Sequence, residues 1–180
     1  MNISKSFHFV DNHAHLNFNV FDDDFKETIK RAVDASVAII NVGTQKDTSK
    51  RVVEIAEEYN DGVYAIVGLH PVHTGKSFHD EKELGEGGQA FTSRGEVFDY
   101  EYYKNLAIHP KVVGIGECGL DYFRLEEDTK DVQKKAFENQ INLSLEVNKP
   151  LMLHIREAYE DAIDILKSNK VSRANVHFFA

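Results

Sequence analysis

Apolar and polar positions follow two different periods along this chain, and the periods take turns. Phe7 to Leu16 reads as a strand, with Asp11, His13 and His15 on one face and His8 on the other. Asp22 to Ser36 shifts to a helical period: Phe25, Ile29, Ala32 and Val33 form one stripe, and three aspartates sit where the helix dipole favours negative charge. Val37 to Val42 is apolar throughout, as in a parallel sheet covered on both faces. Asp47 to Tyr59 is helical again through Val52, Ile55, Ala56 and Tyr59, and Val63 to Val67 is a third strand running into Gly68-Leu69-His70-Pro71. Tyr100 to Ala107 is a short helix stopped by His109-Pro110. A strand follows at Val112 to Ile115, then a long helix at Asp128 to Val147 with Val132, Ala136, Phe137 and Ile141 inward. Pro150 opens a fifth strand ending at His154. Glu157 to Lys167 is a helix through Tyr159, Ala162, Ile163 and Leu166, and Asn175 to Phe179 begins a sixth strand containing His177.

Only residues 74–98 break this rhythm. They are rich in glycine and mixed in charge, which predicts a long loop after the third strand. Thr74-Gly75-Lys76-Ser77 has the ending of a phosphate-binding P-loop. That motif needs a glycine five residues before Gly75, where this chain has His70, and no helix signal follows. His79 in this loop reads as a surface residue.

Six alternations of strand and helix predict an α/β domain with a parallel sheet. A doubly wound sheet would bind ligand at one switch point through a glycine-rich first turn. This chain carries His-x-His there instead. A barrel gathers the C-terminal ends of all its strands at one mouth. His13, His15, His70, Glu117, His154 and His177 all lie at or near predicted strand ends, which favours the barrel. A TIM-type (β/α)8 barrel has eight units; residues 1–180 supply about five and a half to six. An incomplete barrel would leave the edges of its first and last strands open to pairing.

The centre of the pattern is Gly114 to Tyr122, Gly-Ile-Gly-Glu-Cys-Gly-Leu-Asp-Tyr. Val113, Ile115 and Glu117 share a face at a period of two, and the glycines predict a turn that presents Glu117 at the strand end. The plainer reading is an exposed glutamate opening a loop. His13 and His15 are close enough in sequence to share one cation, with Asp11 placed to orient their rings. Asp121 and Tyr122 read equally as outer partners of the site or as a turn aspartate and a packed tyrosine. Arg156 reads as a bidentate phosphate ligand or as a solvated arginine at a helix start.

Composition narrows the partners. A net charge of −9 argues against coating a nucleic acid by charge alone, so phosphate binding needs a local positive centre, which bound cations would supply. The single cysteine, Cys118, excludes an internal disulfide and fits a reducing, cytoplasmic setting; with no basic neighbour in sequence it reads as packing, not as a nucleophile. No stretch approaches a membrane span.

The chain resembles the TatD-type metal-dependent deoxyribonucleases, a branch of the amidohydrolase-like barrels. The resemblance rests on five ordered motifs: Asp11-Asn12-His13-Ala14-His15-Leu16, Gly68-Leu69-His70-Pro71, Gly114 to Tyr122, Pro150 to Arg156 and Asn175 to Phe179. It implies hydrolysis of DNA phosphodiesters, exonuclease-like on single strands, at two divalent cations (Mg, Mn or Zn) in the barrel mouth. It further implies that His13 and His15 bind the first cation, His154 and His177 the second, and Glu117 both. His70, Tyr122 and Arg156 match family positions near the bound phosphate. Chemically, paired cations activate a water and clamp the attacking and leaving oxygens, and imidazoles with a carboxylate suit transition metals and zinc. One departure is expected to matter. The family has a further aspartate in a later segment absent from these residues, so five of six ligands are present and weak or no activity is expected of this chain alone. The same site would also serve hydrolysis of another ester or an amide, such as an aminoacyl-tRNA ester, and a non-catalytic fragment is a third reading.

Overall fold

The computed structural model of the protein describes residues 7–75, 78–79, 91–92, 95–123 and 129–177. Strands β1 (Phe9–Ala14), β2 (Val37–Val42) and β3 (Val63–Val67) alternate with helices α1 (Phe25–Asp34) and α2 (Lys46–Glu57). A two-residue ladder, β4 (Phe78–His79) with β5 (Phe91–Thr92), follows; the remainder of the predicted 74–98 loop up to residue 94 lies largely outside the described residues. Then come α3 (Tyr100–Ala107), β6 (Val112–Asp121), α4 (Thr129–Glu146), β7 (Leu151–Arg156), α5 (Tyr159–Ser168) and β8 (Ala174–His177).

The six long strands form one sheet in the order β1-β2-β3-β6-β7-β8, every neighbouring pair parallel. Sheet order therefore follows chain order and never reverses. A doubly wound fold requires a reversal, so this winding is that of a β/α barrel lacking closure by a full set of units. The sheet is curled enough that His13 of β1 and His177 of β8, on its two outermost strands, stack their rings with centroids 3.8 Å apart.

Two apolar clusters separate the layers. The larger lies between sheet and helices and includes Ile29 of α1, Val52 of α2, Tyr103 of α3, Phe137 of α4 and Leu153 of β7. The smaller contains strand residues only, Val42, Ile66 and Met152 with Ile40 and Val113 against them, and fills the inside of the curl.

This layering corrects the reading of β6. Val113 packs inside and Ile115 outside, so they do not share a face. The cause is irregular register: Ala65–Ile66 of β3 face Val112–Gly114, and a second shift against β7 falls between Ile115 and Cys118. The glycines do not end the strand either. β6 runs on to Asp121, and Gly116 (φ +150°) and Gly119 (φ +136°) sit where a Cβ would collide with the Met152 and His154 carbonyls of β7. They are glycines because a neighbouring backbone lies against them. Likewise β7 continues past His154 to Arg156.

The stripe on α4 is also rotated from the expected one. Gln133, Ala136, Phe137, Gln140, Ile141 and Ser144 are buried, whereas Val132 is exposed.

Candidate metal centre

Glu117 projects from the middle of β6 with 3% of its surface exposed. Its two carboxylate oxygens face different sets of imidazoles. Oε2 lies 3.3 Å from His13 Nε2 and 3.6 Å from His15 Nε2. Oε1 lies 3.4 Å from His70 Nε2 and 3.2 Å from His154 Nδ1, and also contacts His177 Nε2. Two three-residue groups result, each with one ligand atom per residue within 4.8 Å of the others: His13, His15 and Glu117, and His70, Glu117 and His154. His177 adjoins both, stacked on His13 and 5.7 Å by ring centroid from His154.

The C-terminal end of β2 holds these residues mainly through its backbone. Three consecutive carbonyls accept from them: Val42 from His15 Nδ1 (2.9 Å), Gly43 from the Glu117 amide (3.1 Å) and Thr44 from the His70 amide (2.8 Å). The Val42 bond occupies His15 Nδ1 and leaves Nε2 toward Glu117, as in sites where an outer hydrogen bond fixes the tautomer of a ligand. Asn41 accepts from the Leu16 amide (3.1 Å) and so fixes the chain just past His15.

Asp11 does not orient the imidazoles. Its Oδ1 accepts from the His13 backbone amide (3.2 Å) across the irregularity in β1, and His13 Nδ1 is buried with no partner among the described residues. Asp121 fills the outer position on the other side: its Oδ2 lies 2.8 Å from His154 Nε2, and its Oδ1 accepts from the Phe123 amide (3.0 Å). Both sequence readings of Asp121, outer partner and turn aspartate, thus describe one carboxylate.

Tyr122 and Arg156, expected near a phosphate, make contacts with the helix layer and with a neighbouring ring. The Tyr122 hydroxyl donates to Asp161 of α5 (2.7 Å) and Lys130 lies over its ring at 4.4 Å, because the residue after Asp121 turns to the helix layer. The Arg156 guanidinium stacks on Phe123 at 3.6 Å. His70, expected near a phosphate, shares the Glu117–His154 group. Cys118, next to Glu117, points into the helix layer, fully buried, and burial pushes its thiol far up, which removes it as a nucleophile.

Electrostatics divide the cluster in two. Burial alone would raise the Glu117 carboxyl, but the charge of His70 and hydrogen bonds from His13, His154 and His177 outweigh it and hold it well below the usual range. Burial lowers His15 to about 4 and also lowers His70. His154 goes the other way, to about 9, because hydrogen bonds to Asp121 and Glu117 overcome its burial. A buried carboxylate whose two oxygens lie within 3.2–3.6 Å of four imidazole nitrogens is a donor set that fits divalent cations.

Parallel β/α units wound in chain order, with imidazoles and one carboxylate converging inside the curl, define a barrel of the metal-binding kind. The chain belongs to the TatD related DNase family, whose description matches residues 10–180. It is 42% identical over 158 residues to a metal-dependent hydrolase, YabD, of Bacillus subtilis, covering 87% of this chain and 54% of that protein. It is 33% identical over 162 residues to the 3'-5' ssDNA/RNA exonuclease TatD of Yersinia pseudotuberculosis, covering 88% and 55%. The crystal structure of YjjV, a TatD homolog from Escherichia coli, superposes with a TM-score of 0.73 at 29% identity, over 96% of this chain and 60% of that one. The chain thus spans a little over half the length of these relatives. No helix among the described residues is long and apolar enough to cross a membrane.

Proposed function

We propose that this cluster is a two-cation centre for hydrolysing nucleic-acid phosphodiesters, with single-stranded DNA as the first substrate to test. One observation carries the reading: the two oxygens of a single buried carboxylate each face their own group of imidazoles. Such a carboxylate can hold two like-charged ions close together. Glu117 would bridge, His13 and His15 would hold one ion through Nε2, and His154, with His70 and His177 beside it, would hold the other. When bound, two cations would supply an activated water and stabilise charge on the phosphoryl oxygens. They would also supply the positive centre that a chain of net charge −9 otherwise lacks. Asp121 keeps the His154 ring in place from behind. The names of relatives such as the Yersinia exonuclease support a single-stranded DNA or RNA substrate.

The test is nucleotide release from single-stranded DNA with and without Mg²⁺, Mn²⁺ or Zn²⁺, beside Glu117→Gln. Release that needs a cation and is abolished by the substitution is expected of the site in its full-length context. The 180-residue chain alone is expected to be weak, since the His13 and His15 group has the fewer ligands. Cation binding without release from DNA or RNA in the full-length context would move the reading to another ester.

A further inference from the structure

Two side chains on α4 do for the strand ends what a neighbouring strand would do. The β3–β6 ladder ends at Val67–Ile115. Beyond it, the chain leaving β3 continues through Gly68 and Leu69 to His70, while β6 continues to Asp121. At Leu69 the side-chain amide of Gln140 completes both main-chain bonds: Oε1 accepts from the Leu69 amide (2.8 Å) and Nε2 donates to the Leu69 carbonyl (2.9 Å). Gln133 repeats the arrangement at Asp121, accepting from its amide (2.8 Å) and donating to its carbonyl (2.9 Å). Gln140 is 1% exposed and Gln133 4%. A primary amide presents a donor and an acceptor side by side, as a peptide does, and an apolar residue of similar size would leave both strand groups unsatisfied.

The positions held are those next to the chemistry. Leu69 precedes His70, and Asp121 contacts His154. The two glutamines are two helical turns apart on one face, roughly 10.5 Å along the axis. We propose that Gln133 and Gln140 are positioning residues: they make α4 a rigid spacer that sets His70 and His154 about Glu117, and so set the cation affinity of that group. The inference rests on the cluster binding cations and is independent of the bond it hydrolyses.

The test uses Gln140→Met, Gln133→Met and the double substitution, with Leu143→Ala as a control. Leu143 is a fully buried residue of the same helix with no bond to the site. Thermal stability without metal and Mn²⁺ or Zn²⁺ affinity by calorimetry are measured on each. Affinity roughly 10–100-fold weaker is expected in the glutamine variants, the range typical of outer partners of a metal site. The control should lose at least as much stability and keep its affinity. Folded glutamine variants with native affinity would overturn the proposal. Should they not fold, the native chain decides by NMR: the Gln133 and Gln140 side-chain amides and the Leu69 and Asp121 backbone amides shift as cation is added, and unmoved signals during binding would overturn it. A native chain that binds no cation sinks the metal reading and this inference together. Equal binding by native and variant chains sinks the inference alone.

Discussion

The three central strands and the two flanking ones contribute to the same site from opposite structural circumstances. Glu117 and His154 sit on β6 and β7, which are covered by strands or helices, and His70 follows β3, whose residues are nearly all buried. His13 sits on the edge strand β1, where Phe9 is 68% exposed and Val10 59%, and His15 just past it; His177, on the other edge strand β8, reaches the central group through the same Glu117 oxygen as His154. One group is therefore placed by the fold before any ion arrives. The other, His13 and His15, is carried on and just past β1, which has one sheet neighbour among the described residues, and an ion would do part of the work of fixing it. Preorganisation lowers the cost of binding, so the central group should be the tighter site.

The comparison can be broken in four ways, from the largest effect down. Glu117→Gln replaces the charged carboxylate that both groups share; calorimetry with Mn²⁺ or Zn²⁺ should lose both binding phases, each by at least about 100-fold, the upper end for outer partners. A surviving phase would mean one group assembles without Glu117. Second, Leu153→Ala in β7 should cost about 2–5 kcal/mol in urea unfolding, whereas Val10→Ala in β1 should cost less than about 0.5 kcal/mol. Equal costs would erase the distinction between centre and flank.

Third, His154→Gln should remove the tighter binding phase and His15→Gln the weaker one, each by about 10-fold or more in the affected phase, consistent with losing more than an outer partner. The reverse assignment would invert the comparison. Fourth, the two groups should differ in proton release. His154, at about 9, carries a proton at neutral pH that an ion must displace. His15, at about 4, is already neutral. Binding to the central group should then release about one proton, and its affinity should rise with pH until about 9. Binding to the flanking group should show no contribution from His15 above pH 6. Calorimetry in buffers of different ionisation heats reads this directly, and His154→Gln should abolish the release.

Much of this arrangement was legible from residue order. β2, β3 and α3 begin and end where the apolar periods place them, because a covered strand and an amphipathic helix each leave a regular signature. The histidines and Glu117 were found as strand-end polar residues in an otherwise apolar rhythm. What misled was glycine. Gly116 and Gly119 read as a turn, but their cause is the approach of β7, a contact distant in sequence that no local pattern records. The same bulged register placed Val113 and Ile115 on different faces. Asp11 was assigned to a ring and bonds a backbone amide instead. Gln133 and Gln140 were passed over because polar residues beside a helical stripe are usually solvated. The usable signal was two glutamines seven residues apart flanking Ala136 and Phe137.

The end of β2 carries a different lesson. Val42, Gly43 and Thr44 hold His15, Glu117 and His70 through peptide carbonyls, and every amino acid has that group. An alanine scan would misread it: Gly43→Ala would press a Cβ into the Ser49 backbone and Val42→Ala would loosen the inner cluster, while a change at Thr44 that keeps the chain's path also keeps the bond to His70. The carbonyls would go unread although all three residues depend on them. Chemical synthesis reaches what mutagenesis misses, since turning the amide whose carbonyl belongs to Thr44 into an ester weakens that acceptor and leaves every side chain in place.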